Sequence, residues 1–325
     1  MLQKKKRLAI PIMTHPGIEL CGSTVLKAVT DGQAHADAIC ALNDRFPADA
    51  VTAIMDLTVE AEAFGAQIRF SENEIPSIVG RLVQDAGSVA GLEVPSLDKG
   101  RIPEYLKANR VVASRIKDKK VFGGCIGPFS LAGRLFDLSE LMMAMYIEPE
   151  TVTMLLDKCT AFITSYLLAM KGTGIDGVIL AEPASGLVSN DDCYLYSSVY
   201  VRKIVDAVQD DGFSIVLHNC GNTGHCTDAM IRSGASALHF GNRADMVEAL
   251  KTCPPDLPVM GNIDPVTVMQ QASPEQVYSA VSELLGKTAG FGNFILSTGC
   301  DVPPRTPVVN IQAFYQALAD YNEKD

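Results

Sequence analysis

The stretch GVILAEPASGLVSNDDCYLYSSVYVRKIVDAVQDDGFSIVLHNCG, residues 177–221, decides the fold. It opens and closes on apolar runs of strand length, GVILAEP (177–183) and FSIVLHN (213–219), with a helical pattern over 193–209 between them. Both runs are apolar throughout rather than alternating, the pattern of strands covered on both faces. Strand, helix and strand in that order imply a parallel pair joined by a helical crossover. Polar residues come only where the runs end. His218 and Cys220 are two positions apart, and in extended chain such residues project to the same side.

The unit repeats along the chain. Further strand-like runs are LAIPIM (8–13), AVTAIM (50–55), KVFGGCIG (120–127), ALHFG (237–241), PVMGNI (258–263) and NFILSTG (293–299). Helical patterns occupy 24–45, 103–118, 150–171, 224–233, 274–287 and 309–321. The clearest is 150–171, where Val152, Leu155, Leu156, Cys159, Phe162, Ile163, Tyr166, Leu167 and Met170 follow helical spacing and Gly172 supplies the cap. Ser273 before Pro274 marks a helix start. Eight strands alternating with helices predict a (β/α)8 TIM barrel forming a single domain over residues 1–325, with its site at the C-terminal ends of the strands. An open doubly wound sheet is the alternative, but no G-x-G-x-x-G follows any strand. Segment 65–78, GAQIRFSENEIPSI, interrupts the alternation and reads as a hairpin-like excursion at the barrel mouth.

The bulk numbers suit this reading. The chain has 325 residues, 47% hydrophobic and 20% charged, enough to bury a large core. A formal net charge of −11 argues against nucleic acid or an anionic membrane as partner. The basic run Lys4–Lys5–Lys6–Arg7 precedes only a short apolar stretch broken by Pro11, too short for a secretory signal, and no run reads as a membrane span. A cytoplasmic protein is expected. Nine cysteines, an odd number, then read as packed thiols or ligands rather than disulfides. Cys21, Cys40, Cys159, Cys193 and Cys253 fall in or beside helical patterns and suggest packing. Cys125, Cys220, Cys226 and Cys300 follow strands or lie in glycine-rich turns.

In a barrel, polar residues just past the strand ends share one face. That face collects His15, Asp56, Cys125, Glu182, His218, Cys220, His239, Asn262, Asp264 and Cys300; the opposite face has no comparable set. His218 and Cys220 supply an imidazole and a thiolate. A zinc ion that does chemistry needs a third protein ligand and an open position. Cys300, at the end of the last strand in STGCDVPPRTP, is one candidate; His225 and Cys226 in the loop NTGHC are the other.

The chain resembles the uroporphyrinogen decarboxylase superfamily, and within it the methylcobamide:coenzyme M methyltransferase branch. The resemblance lies in DLTVEAEAFGA (56–66), CIGPFSLAGRLF (125–136), LHNCGNT (217–223), VMGNIDPV (259–266) and STGCDVPPRTPVVNI (297–311). It implies one (β/α)8 barrel over nearly the whole chain. It also implies a Zn²⁺ site made of an H-x-C pair and a G-C cysteine, matched here by His218, Cys220 and Cys300. The decarboxylase branch carries a histidine at the position of Cys300, lacks the H-x-C cysteine, and has an N-terminal arginine motif; IMTHPGIEL here has no arginine. Asp56 matches the essential aspartate of that branch.

The activity implied is transfer of a methyl group from a methylcobamide, carried on a separate corrinoid protein, to a small thiol such as coenzyme M. One neutral histidine and two thiolates cancel the charge of Zn²⁺, so a bound thiol loses its proton yet stays nucleophilic. Glu182 is then a fourth zinc contact or the thiol's proton acceptor, and Asp56 an orienting group or a partner for a cationic part of the substrate. His15 and His239 line the pocket. Asn262 supports the ligands, Asp264 supports them or caps a helix, and Arg305 holds an anionic group of the substrate. Two other readings remain: a decarboxylase of a tetrapyrrole or related acid relying on Asp56, and an accessory protein that binds corrinoid or metal without turnover.

Overall fold

The computed structural model describes residues 6–323; Lys4 and Lys5 of the basic run lie outside them. Seven strands form one parallel sheet: β1 (Ala50–Thr52), β4 (Lys120–Ile126), β5 (Gly177–Ala181), β6 (Ser214–Asn219), β7 (Ala237–Phe240), β8 (Val259–Ile263) and β9 (Phe294–Thr298), in that spatial order. The segment between β1 and β4 holds a separate antiparallel pair, β2 (Gln67–Arg69) with β3 (Ser77–Val79), which is the expected hairpin. Helices join successive strands of the sheet, giving the α/β, TIM-barrel-like architecture.

The eighth expected strand, 8–13, is reduced to a single parallel bridge from Ala9 to Leu296. Pro11 is the physical reason, because it has no N–H to give to a ladder. The carbonyls around it are taken up by hydroxyls instead: Ser297 Oγ donates to Ile10 O, Thr52 Oγ1 to Pro11 O and Thr298 Oγ1 to Ile12 O. Asp49 donates its N–H to Ala9 O and accepts the Ala9 N–H on its carboxylate. This short segment therefore links β9 to the residue just ahead of β1, the two edges of the curled sheet.

The sheet's interior and the helix–sheet interface are apolar. Every residue of Gly177–Ala181 is buried, and the longer neighbouring strands are buried almost without interruption. Contrary to the expectation from sequence, one helix, Pro149–Lys171, is long and apolar enough by length and composition to cross a membrane. Its stripe from Val152 through Met170 is fully buried and packs on the helices Pro128–Phe136 and Val199–Val208. The expected helix over 24–45 is two, Val25–Thr30 and Gly32–Arg45, because the Asp31 side chain caps the second from Gln33 N–H. Cys159, Cys193 and Cys253 are buried as expected; Cys21, the cap residue of the six-residue helix His15–Leu20, is exposed.

Candidate metal centre

His218 lies one residue before the end of β6, fully buried, opposite Ala181 of β5 and His239 of β7. The chain then turns sharply. The buried Asn219 side chain makes that turn: its Oδ1 accepts the N–H groups of Gly221 and Asn222 while its Nδ2 donates to Ser185 Oγ. Cys220 is thereby swung back toward β9. Gly241, just after β7, permits this, since a Cβ there would stand 2.7 Å from Cys220 Cα and O. Cys300 comes two residues after β9. Gly299 before it passes so close to the backbone of Asn242 that a Cβ would lie 2.4 Å from Asn242 N. The three ligand atoms of His218, Cys220 and Cys300 all fall within 4.8 Å of one another.

The hydrogen bonds beneath His218 define its free atom. Ile10 O can only accept, so the Ser297 hydroxyl, 2.8 Å away, donates to it. Ser297 Oγ then accepts from His239 Nε2 at 2.8 Å. Burial, with the neighbouring His218 adding to it, holds the His239 pKa well below the ordinary histidine value. The ring is neutral and its Nδ1 carries a lone pair. That lone pair, 2.8 Å from His218 Nδ1, accepts the His218 Nδ1–H. The chain of donors thus assigns the tautomer and leaves His218 Nε2 with a lone pair. This atom is buried and has no hydrogen-bond partner.

The sulfurs complete the picture. Hydrogen bonding between them lowers the Cys220 pKa and raises that of Cys300, with burial also raising the latter. An orphaned imidazole lone pair beside two paired sulfurs is a donor set that a soft or borderline divalent cation satisfies.

A sequence model of the uroporphyrinogen decarboxylase (URO-D) family matches residues 7–321. The chain belongs to the uroporphyrinogen decarboxylase family. Among its relatives, the methylcobamide:CoM methyltransferase MtbA of Methanosarcina mazei is 32% identical over 277 residues, 84% of this chain and 80% of the relative. The uroporphyrinogen decarboxylase of Serratia proteamaculans is 27% identical over 290 residues, 84% and 79% of the two chains. A solved methyltransferase structure from Methanosarcina mazei superposes with a TM-score of 0.88 at 22% identity, covering 99% of this chain and 95% of that one.

Within this TIM-barrel-like fold the other expected residues fall in several places. His239 is the support under His218. Glu182 is buried between the strands and the helix Pro128–Phe136, where its carboxylate accepts the N–H groups of Phe129 and Ser130 and the Ser130 hydroxyl. Burial pushes its pKa up to about 7, against these hydrogen bonds. It is outside the three-residue cluster. Asp56 is buried with its oxygens held by Thr58, Tyr105 and the Arg101 guanidinium. Arg101 in turn grips Glu62 at 2.6 Å and lies 4.9 Å from the centre of the Phe70 ring, so Asp56 anchors the hairpin side of the mouth. Asn262 ties down a loop through Gly241 O and Ala244 O, and Asp264 caps the turn at Val266 and Thr267.

His15 sits 3.1 Å from Asp301; burial opposes its charge, but the Asp301 carboxylate outweighs it and the pKa is raised. Arg305 lines a separate cleft with His15, Glu19 and Asn73, and its N–H binds Glu19. The alternative ligands are spent elsewhere. His225 is exposed and bonds Val188 O and Thr223, and Cys226 packs against Cys193. Sequence reasoning missed Asn219, Ser297 and Glu60. Glu60 is buried with its Oε1 accepting Ile126 N–H and its Oε2 unpartnered, and burial pushes its pKa up to about 7.

Proposed function

We propose that this URO-D family member is a zinc-dependent methyltransferase that moves a methyl group from a methylcobamide to a small thiol. The carrying observation is the convergence of His218 Nε2, unpartnered and buried, with the sulfurs of Cys220 and Cys300. The relation to a methylcobamide:CoM methyltransferase over 84% of the chain supports the same reading. His218, Cys220 and Cys300 would hold the Zn²⁺. When bound there, the ion would supply the chemistry of a Lewis acid that keeps an acceptor thiol deprotonated.

The chain's own residues prepare that site. Ser297 and His239 fix the ring of His218 so that a lone pair faces the sulfurs without reorganisation. Asn219 and the two glycines hold the cysteine loops in register. Cys220 also lines an open cleft, which gives an acceptor thiol a way in. The methyl donor would be presented by a separate corrinoid carrier protein. We also take residues 7–321 to act as one domain, because the family match and the main apolar core both run across that span.

Metal analysis tests this directly. Purified protein is expected to carry close to one zinc per chain and to demethylate methylcobalamin when a thiol is supplied. His218→Ala and Cys300→Ser are each expected to lose most of the metal with the far-ultraviolet circular dichroism unchanged. Protein that is folded, metal-free after gentle purification and unable to take up zinc would end the proposal.

A further inference from the structure

A second pair of sulfurs meets outside the metal cluster. Cys193 ends the helical turn Asn190–Cys193, and Cys226 precedes the helix Thr227–Arg232 as its cap residue. The two elements pack on each other. Both thiols are buried against one another and Ala229, with Val188 and Tyr194 closing the cluster. Cys226 Sγ also lies 3.7 Å from Ser185 O and 3.6 Å from Val188 O. Methyl transfer at the His218 cluster uses neither cysteine.

The pair is unequal. A hydrogen bond from Cys226 holds the Cys193 pKa below the ordinary cysteine value, against the opposing effect of burial. The same contact, together with burial, raises that of Cys226. Cys193 is therefore the nucleophilic member and Cys226 keeps its proton. The cover over them is thin. Thr223, Gly224 and His225 are exposed and lead straight into Cys226. Gly224 has a φ of +120° and nothing within 4 Å of where a Cβ would stand, so this surface loop has room to give. Local opening of such a loop admits a molecule as small as a peroxide.

The same loop begins at Cys220. Asn222 Oδ1 accepts the N–H groups of Gly224 and Cys226 and fixes the loop's far end. Ser185, whose carbonyl faces Cys226 Sγ, accepts on its hydroxyl the Nδ2–H of Asn219, the residue that turns Cys220 toward β9. A movement of Cys226 thus pulls on both anchors of the loop that carries a metal ligand.

We propose that Cys193 and Cys226 form a redox-active dithiol, which hydrogen peroxide oxidises to a disulfide that staples the Cys220 loop to the turn Asn190–Cys193. The Cys193 thiolate attacks one peroxide oxygen and the O–O bond breaks. Cys193 becomes a sulfenic acid, and the departing hydroxide takes up the proton that Cys193 released. The Cys226 sulfur then attacks the Cys193 sulfur; the S–S bond forms, the S–O bond breaks, and hydroxide leaves with the Cys226 proton as water. The dithiol has lost two electrons and the peroxide has become two waters. The dithiol itself is independent of the metal reading above; its hold on the zinc rests on that reading.

The test treats zinc-loaded protein with hydrogen peroxide, blocks the remaining thiols with iodoacetamide in denaturant, and reads the digest by mass spectrometry. A linked Cys193–Cys226 peptide, about 2 Da lighter than its reduced halves together, is expected before zinc is lost, and dithiothreitol is expected to remove it. In Cys226→Ala the reaction stops at the sulfenic acid, which dimedone is expected to trap at Cys193. In Cys193→Ala neither product is expected. A chromophoric chelator is expected to draw zinc from the bridged protein about 10-fold more slowly than from reduced protein, the lower end of what contacts supporting metal ligands contribute. Peroxide is expected to leave that rate unchanged in Cys226→Ala.

Oxidation that links Cys220 to Cys300 first, or that leaves Cys193 and Cys226 unmodified, overturns the proposal. The wild-type peptide map decides this even where a substitution unfolds the chain. A bridge that forms without slowing zinc release overturns the staple. Protein that forms the bridge but binds no zinc refutes the methyltransferase reading and leaves the dithiol standing.

Discussion

Removing the support under the metal ligand is the sharpest perturbation available. His239 is fully buried between His218 Nδ1 and Ser297 Oγ, 2.8 Å from each. In His239→Leu the His218 Nδ1–H loses its acceptor, a buried unsatisfied donor worth about 1–3 kcal/mol. The ring can escape that cost by moving its proton to Nε2, and this removes the lone pair that binds metal. Zinc must then displace the proton first, so its affinity is expected to drop about 10- to 100-fold, the range for partners of metal-bound histidines. That is about 1.4–2.7 kcal/mol of binding, and the saturated stoichiometry stays at one ion per chain.

Competition with a chromophoric chelator, on zinc-depleted protein shown to be folded, measures this. His239→Gln is the rescue, because its amide oxygen can accept from His218 while its NH2 donates to Ser297; it is expected within about 5-fold of wild type. Ser297→Ala leaves His239 free to change tautomer and is expected to show a smaller loss in the same direction. Folded His239→Leu with zinc affinity within about 2-fold of wild type would refute the assigned relay.

Three further outcomes follow from the same geometry. Glu60 has a folded-state pKa pushed up to about 7 by burial against an ordinary value near 4.3; between these values the native state keeps a proton the unfolded chain has lost, so stability declines as pH rises. Relative to Glu60→Gln, the wild type is expected to lose about 3 kcal/mol between pH 4.5 and pH 8 by urea unfolding, and a difference that does not change with pH contradicts the buried-acid assignment. Asp56→Asn leaves the Arg101 charge buried without its partner and is expected to cost about 3–5 kcal/mol in denaturant stability while zinc stoichiometry is kept; a cost under about 1 kcal/mol, or loss of zinc, tells against its anchoring role. Gly241→Ala pushes a Cβ to 2.7 Å from Cys220 Cα and O and is expected to weaken zinc binding on the order of 10-fold; unchanged affinity by chelator competition rejects the close-approach argument.

The barrel-like fold and the three metal candidates were both readable from the chain, for one reason. A strand covered on both faces must be apolar along its length, so His218, Cys220 and Cys300 stand out where two such runs stop. Seven of the eight runs became strands of the sheet within one to three residues of their expected limits; the eighth failed at Pro11, which the sequence displayed but whose effect on a partner ladder depends on the neighbouring hydroxyls. What single residues do beyond that was not readable. Glu182 and Asp56 have the chemistry of catalytic acids, and only tertiary contacts show their oxygens committed to a helix N-terminus and to Arg101. His239 and Ser297 lie 58 positions apart, and nothing local in either segment announces that they meet under His218. The sequence alone determined which atoms could bind a metal, because ligand chemistry belongs to residue type. The tertiary structure decided which nitrogen of His218 is free and which buried carboxylates are already paired, because hydrogen-bond acceptors and counter-charges arrive from strands and helices remote along the chain.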